Sequence, residues 1–326
     1  MTAEITAFGT TASGEPVEAI TLRAGDLTAV VLTWGAVLQD VRLAGVPYSL
    51  TQGSDLVSDY EDKMRYHGSL IGPVVNRITG ARAVIAGHEY EFEHSMYGAV
   101  TLHCGSNGTH VKLWDIVAAD ASSVTLAIDL PHGEGGFPGN RQIAVRFWIE
   151  APASLRMEVT GTTDADTILN FANHSYWNLD GTPCWDGHTL QIKADHYLPA
   201  TEIFTPTGEI AAVEGTAYDL RKPRVITVNN PPLDNCYCLG RERVALRDVL
   251  TLTGTSGVEM IMATTEPGLQ AYDGRHAIRP GKAAYEGLAF EPEFWPDATN
   301  HPDFPSIDLA DGDTYHQLTE WRFTKP

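Results

Sequence analysis

Apolar and polar residues alternate over many short stretches of this chain. In "VTLAIDL", Val124, Leu126, Ile128 and Leu130 point one way, and in "LRMEVT", Leu155, Met157 and Val159 do the same. A period of two marks half-buried strands. The runs "IAVRFWIE" and "LRMEVTGT" are joined only by "APAS", which contains Pro152, and this predicts an antiparallel hairpin. The 30 glycines and 19 prolines fall largely between such runs, as in "LAGVPY", "PHGEGGFPGN" and "TEPGLQAYDG", where a many-stranded protein needs its turns. Helical spacing is confined to "SDLVSDYEDKMRYHG", where Ser54 is placed to cap a short helix carrying Leu56, Tyr60 and Met64. With no βα alternation, linker, composition shift or fixed-period repeat, residues 1–326 read as one all-β domain, a large antiparallel β-sandwich.

Two strands break the pattern with polar residues. In "ILNFANHSY", Leu169 and Phe171 share one face, while Asn170, Ala172, His174 and Tyr176 share the other; Asn173 turns toward the Phe171 side. A face of His, Asn and Tyr is either solvated or the floor of a groove for a polyhydroxylated ligand. In "EGLAFEPEFWPDA", Leu288 and Phe290 set the apolar parity and Glu291 falls on the opposite one, just before Pro292. Proline removes a ladder donor, which puts Glu291 at a strand end or edge; Glu293 lies beyond that break. Either carboxylate is equally readable as half of a surface ion pair. Further polar groups come from Asn76 and Arg77 in "IGPVVNRITG", His103 in "AVTLHCGSNG", Asp234 in "PPLDNCYCL", and Gln270 with Tyr272 in "PGLQAYDG".

Charge narrows the ligand class. The 22 Lys and Arg against 42 Asp and Glu give a formal net charge of −20, which repels nucleic acid and bare anionic membranes but not a small neutral ligand. No segment approaches the roughly 18 continuous apolar residues of a membrane span, and "MTAEITAFGTTASGEP" is not a secretory leader. The expectation is a cytoplasmic protein. Four cysteines are too few for a disulfide scaffold, and Cys236 and Cys238, without two further soft ligands nearby, read as a same-face strand pair rather than a metal site.

Taken together and in order, the pieces "NRITG", "TLHCGSNG", "GEGGFPGN", "NFANHSYWNL", "LPATEIFTPTGEI", "GTAYDLRKP", "LDNCYCL", "PGLQAYDG" and "FEPEFWPDA" resemble the aldose 1-epimerase family, the galactose mutarotases. The resemblance implies a β-supersandwich with an open sugar-binding cleft, no cofactor, no metal and a monosaccharide as partner. It makes His174 the general acid and Glu291 the general base, with Asn76, Arg77, His103, Asp234 and Gln270 binding substrate. Such a pair opens a hemiacetal: the base takes the anomeric hydroxyl proton while the acid protonates the ring oxygen, and the aldehyde recloses on its other face. Histidine is mostly neutral at pH 7, so an acidic neighbour, Asp234 or Glu291, is expected to raise its pKa. The chain departs from the family at Cys104 (usually glycine), Pro73 (commonly basic), Asp273 (commonly the threonine of "YTG") and "EFW" (usually "QHF"). These positions line or adjoin the expected sugar site and bear on which sugar is taken.

Three other readings compete. A hexose-6-phosphate mutarotase needs several cations around a phosphate, and only Arg77 is placed in the cleft by sequence. A non-catalytic sugar-binding module would have no use for the acid and base. A glycoside hydrolase would use Asp234 and Glu291 as its two carboxylates. Monomer and homodimer are both open.

Overall fold

The computed structural model describes residues 2–326. Its largest sheet has nine strands, ordered in space Asp115–Ala119, Ser123–Leu130, Arg141–Glu150, Ser154–Thr163, Thr314–Thr324, Glu259–Thr264, Arg247–Thr253, Thr189–Ile192 and Arg224–Val225. Every ladder in it is antiparallel. The expected hairpin is there, with Glu150 paired to Ser154 across Ala151–Ala153. The C-terminal strand lies in the middle of the sheet, so the two halves of the chain are stitched together by backbone hydrogen bonds.

A six-stranded sheet packs against this one, ordered Tyr176–Trp177, Leu288–Glu293, Gly268–Tyr272, Asp234–Cys238, His196–Tyr197 and Ala211–Ala212. Alternation divides its two faces. Leu269, Ala271, Leu288 and Phe290 join Met157, Val159, Leu252 and Met260 of the nine-stranded sheet in the main core. The residues between them, Gln270, Tyr272 and Glu291, are left for the opposite face. A four-stranded N-terminal sheet contributes Ile20, Leu22, Val31 and Val41 to the same core.

Local differences from the sequence expectation have physical causes. The helix shrinks to Val57–Glu61 with Leu56 at its N-cap, exposed, while the Ser54 hydroxyl bonds the Asp59 carboxylate. Tyr60 and Met64 are buried as expected. The segment around His174 is not one regular strand. It makes three two-residue pairings with three different partners: Thr167–Ile168 with Asp308–Leu309, Ala172–Asn173 with Leu70–Ile71, and Tyr176–Trp177 with Leu288–Ala289. Pro292 does not end its strand; Leu288–Glu293 runs through it, paired to Gly268–Tyr272, at a level where its other neighbour has already stopped. Cys236 and Cys238 share one apolar cluster as a same-face pair. Among the described residues, no helix is long and apolar enough to cross a membrane.

Candidate active site

The polar face of the six-stranded sheet is the floor of a cavity of about 620 Å³. Its register sets the order of functional groups: Gln270 lies directly across from Glu291, and Cys236 across from Gln270. Asp234 is therefore the diagonal neighbour of Gln270, and Gln270 Nε2 donates to Asp234 Oδ1 at 2.9 Å. Arg77 Nη1 approaches the same oxygen at 4.0 Å, with its guanidinium 5.4 Å over the Phe204 ring.

His174 is delivered to this row from the facing segment. Its backbone N–H donates to Ser69 O at 2.9 Å and its carbonyl accepts from Gly68 N at 3.0 Å. Gly68 has φ near 72°, and a Cβ there would lie 2.4 Å from Leu38 O, so the approach that holds His174 requires glycine. His174 Nε2 then faces Glu291 Oε1 at 3.4 Å, both side chains almost fully buried.

His103 and Asn76 clasp each other. His103 N–H donates to Asn76 O at 2.9 Å, and Asn76 N–H donates to His103 Nδ1 at 3.1 Å. Both residues have left-handed backbones, as does Cys104. Such φ values in non-glycine residues cost about 1–3 kcal/mol each and gather at functional sites.

All seven residues singled out by sequence line this one cavity: Asn76, Arg77, His103, His174, Asp234, Gln270 and Glu291. Tyr176 and Tyr272 line it too, as their parities required, whereas Asn170 does not. The Asn170 amide instead bonds Phe294 N and O, at 2.9 and 3.2 Å. Sequence reasoning missed Tyr66, whose ring lies 4.7 Å from His103 and 6.0 Å from His174, and His67, 4.4 Å from Tyr176. It also missed Lys63 and Arg65. None of Cys104, Pro73 and Asp273 lines the cavity. Cys104 Sγ bonds the Val74 backbone, Pro73 O accepts from Asn170 N, and Asp273 is buried under Arg275.

Burial dominates the proton chemistry. The expected rise in the His174 pKa is overturned: desolvation, with Arg77 adding to it, lowers it to about 4. Glu291 moves the other way, to about 8, because burial and then the Asp234 carboxylate oppose its charge more than Arg77 favours it. The site thus favours a protonated Glu291 beside a neutral His174.

Donor atoms of His103, His174 and Glu291 lie within 4.8 Å of one another, a set that resembles a divalent-cation site. The clasp argues against that use. With Nδ1 accepting from Asn76, neutral His103 carries its proton on Nε2 and has no lone pair to give.

The comparisons with known proteins agree with the fold. The sequence model for aldose 1-epimerase matches residues 18–322. A galactose mutarotase of Rattus norvegicus is 31% identical, with 98% of each chain covered. An aldose 1-epimerase of Escherichia coli K12 is 30% identical over 95% of this chain and 96% of its own. Among solved structures, a GalM/aldose epimerase homologue from C. elegans superposes with a TM-score of 0.86 at 26% identity, covering 94% of this chain and 98% of that one. A galactose 1-epimerase from Lactobacillus acidophilus shares the fold with a TM-score of 0.87 at 23% identity, over 100% and 99% of the two chains. Matched almost from end to end in sequence and in fold, this chain belongs to the aldose 1-epimerase family.

Proposed function

We propose that this chain interconverts the α and β anomers of a free neutral aldose such as galactose, glucose or arabinose, with His174 as general acid and Glu291 as general base. The observation that carries the reading is the buried His174–Glu291 pair, 3.4 Å apart on a cavity otherwise furnished with hydrogen-bonding groups. Asp234 and Gln270 offer acceptors and donors to sugar hydroxyls, and Arg77, Asn76 and His103 add donors. A cavity of this size holds a monosaccharide.

The protons balance as follows. In the closed-ring complex His174 carries the proton and Glu291 is the carboxylate. Glu291 takes the proton of the anomeric hydroxyl as His174 gives its own to the ring oxygen, and the bond between C1 and that oxygen breaks. The open aldehyde is left with protonated Glu291 and neutral His174. Burial favours the protonation state of the open-chain complex over that of the closed-ring one, so the closed complex must first move the shared proton from Glu291 to His174, and that cost is part of the barrier. Rotation about the C1–C2 bond and reversal of the two transfers give the other anomer.

Polarimetry tests the reading. The protein is expected to speed the decay of optical rotation of fresh α-aldose, and His174→Asn and Glu291→Gln are each expected to slow it about 10²- to 10⁴-fold. Full activity in both variants would sink the assignment. Lys63 and Arg65 at the cavity mouth favour a second reading, a mutarotase for aldoses bearing a terminal phosphate; tighter binding of hexose 6-phosphate than of hexose would select it. Four free thiols support a cytoplasmic setting. The chain is read as one catalytic unit, a monomer or homodimer.

A further inference from the structure

Glu293 lies two residues beyond the proposed base, and the mechanism above does not use it. Its side chain is sealed from solvent, and Oε1 accepts a hydrogen bond from Asn76 Nδ2 at 3.0 Å. Oε2 has no partner. The other end of the Asn76 amide is also occupied, because Asn76 Oδ1 accepts from Arg77 N at 3.0 Å. The Asn76 side chain is thus held at both ends, and the residue is fixed in its left-handed backbone. From that backbone its N–H points to His103 Nδ1 at 3.1 Å.

We propose that Glu293 is a positioning residue for the aldose site: through Asn76 it holds His103 in the tautomer that donates from Nε2 toward the sugar. A chain of three residues links a buried carboxyl on one sheet to a donor on the facing loop. Each contact has one polarity. Asn76 Nδ2 has only hydrogens to offer, so Glu293 accepts; a backbone N–H has only a hydrogen to offer, so Nδ1 accepts and the ring proton sits on Nε2. His103 is buried and stays neutral, so it keeps a single ring proton. Burial and the neighbouring Glu291 likewise keep Glu293 uncharged, so it serves as a plain carbonyl acceptor. A glutamine oxygen fills that role equally well.

The sugar-facing role rests on the proposed function; the tautomer is measurable without sugar. The experiment is ¹⁵N NMR of histidine-labelled protein, with His103 assigned by its loss in His103→Asn, alongside mutarotation kinetics. Wild type and Glu293→Gln are expected to show a protonated Nε2 and an unprotonated Nδ1 at His103, with KM and kcat equal within about threefold. Glu293→Ala is expected to mix the tautomers and raise KM about tenfold, the loss of one oriented hydrogen bond, with a smaller change in kcat. Where Glu293→Ala does not fold, Asn76→Gly cuts the same tether while keeping the left-handed backbone and its N–H, and the same mixing is expected. An unchanged His103 signal after the tether is cut, or a Glu293→Gln variant as impaired as Glu293→Ala, would overturn the proposal. A wild-type protein with the expected tautomer and no mutarotation would overturn the function reading instead.

Discussion

Glu291 Oε1 and His174 Nε2 face each other across 3.4 Å in a region from which solvent is almost excluded. Burial opposes charge on both, lowering the histidine pKa to about 4 and raising the carboxyl pKa to about 8, so over that range the pair holds one proton. The proposed mechanism needs that single proton. Below about pH 4 the pair gains a second and loses its base; above about pH 8 it loses the last and has no acid. The kcat/KM profile for mutarotation is therefore expected to be flat between these limits and to fall tenfold per pH unit on either side. A profile centred on an ordinary histidine pKa of 6.5, with loss of activity from there upward, would contradict the paired assignment.

Asp234 lines the same cavity as His174 and Glu291, where Gln270 donates to it at 2.9 Å and Arg77 lies 4.0 Å away. Asp234→Asn keeps the shape and removes the charged acceptor. The expected outcome is a KM raised about ten- to hundredfold, since hydrogen bonds to a charged group contribute about 1.5–3 kcal/mol, with kcat changed only a few-fold. Steady-state polarimetry separates the two constants. A collapse of kcat at constant KM would mean that Asp234 takes part in the chemistry, the role a glycoside hydrolase would give it.

What could be read from the sequence follows from periodicity. The parity that set Leu288 and Phe290 against Glu291, and Gln270 with Tyr272, comes directly from the pleat, and the structure keeps both. The same argument gave His174 and Tyr176 their cleft face but misplaced Asn170, because that stretch switches sheet partner every few residues and carries no single register. Tyr66, His67 and Lys63 had no period to reveal them; the turn after a one-turn helix brings them in. The left-handed clasp of Asn76 and His103 joins residues 27 positions apart, a pairing invisible to local pattern. The His174 pKa was misjudged because composition shows the neighbouring charge and hides the desolvation, which is the larger effect.

Asp273, one of the departures from the family pattern, has a structural role rather than a place on the cavity wall. It is fully buried and receives two hydrogen bonds from the Arg275 guanidinium, at 2.9 and 2.6 Å, and a third from the Arg275 backbone N–H at 3.1 Å, which pin the start of the segment carrying His276 and Ile278 over the cavity mouth. Arg275→Leu leaves a buried carboxylate without its counter-charge and is expected to destabilise the fold by about 3 kcal/mol. Adding Asp273→Asn to that variant removes the stranded charge and is expected to restore more than half of the loss in a urea titration. Equal stability of the single and double variants would show that the pair is solvated and contributes little.

His110 lies behind Tyr66, 5.1 Å between rings, and does not line the cavity, so its titration reports on stability and not on chemistry. Burial is the main cause that lowers its pKa to about 3, with Arg65 and His174 adding to it, against 6.5 for the unfolded chain. Between those two values the unfolded state binds a proton that the folded state refuses. The stability contribution is therefore intact above pH 6.5 and is lost as pH falls toward 3, at up to about 1.4 kcal/mol per pH unit. His110→Gln removes this dependence. The variant is expected to be less stable than wild type at pH 7, because a well-fitted ring is lost, and to close that gap steadily as the pH is lowered from 6.5. Urea midpoints measured at intervals down that range decide the matter; a gap that stays constant would mean that His110 is protonated in the folded protein as readily as in the unfolded one.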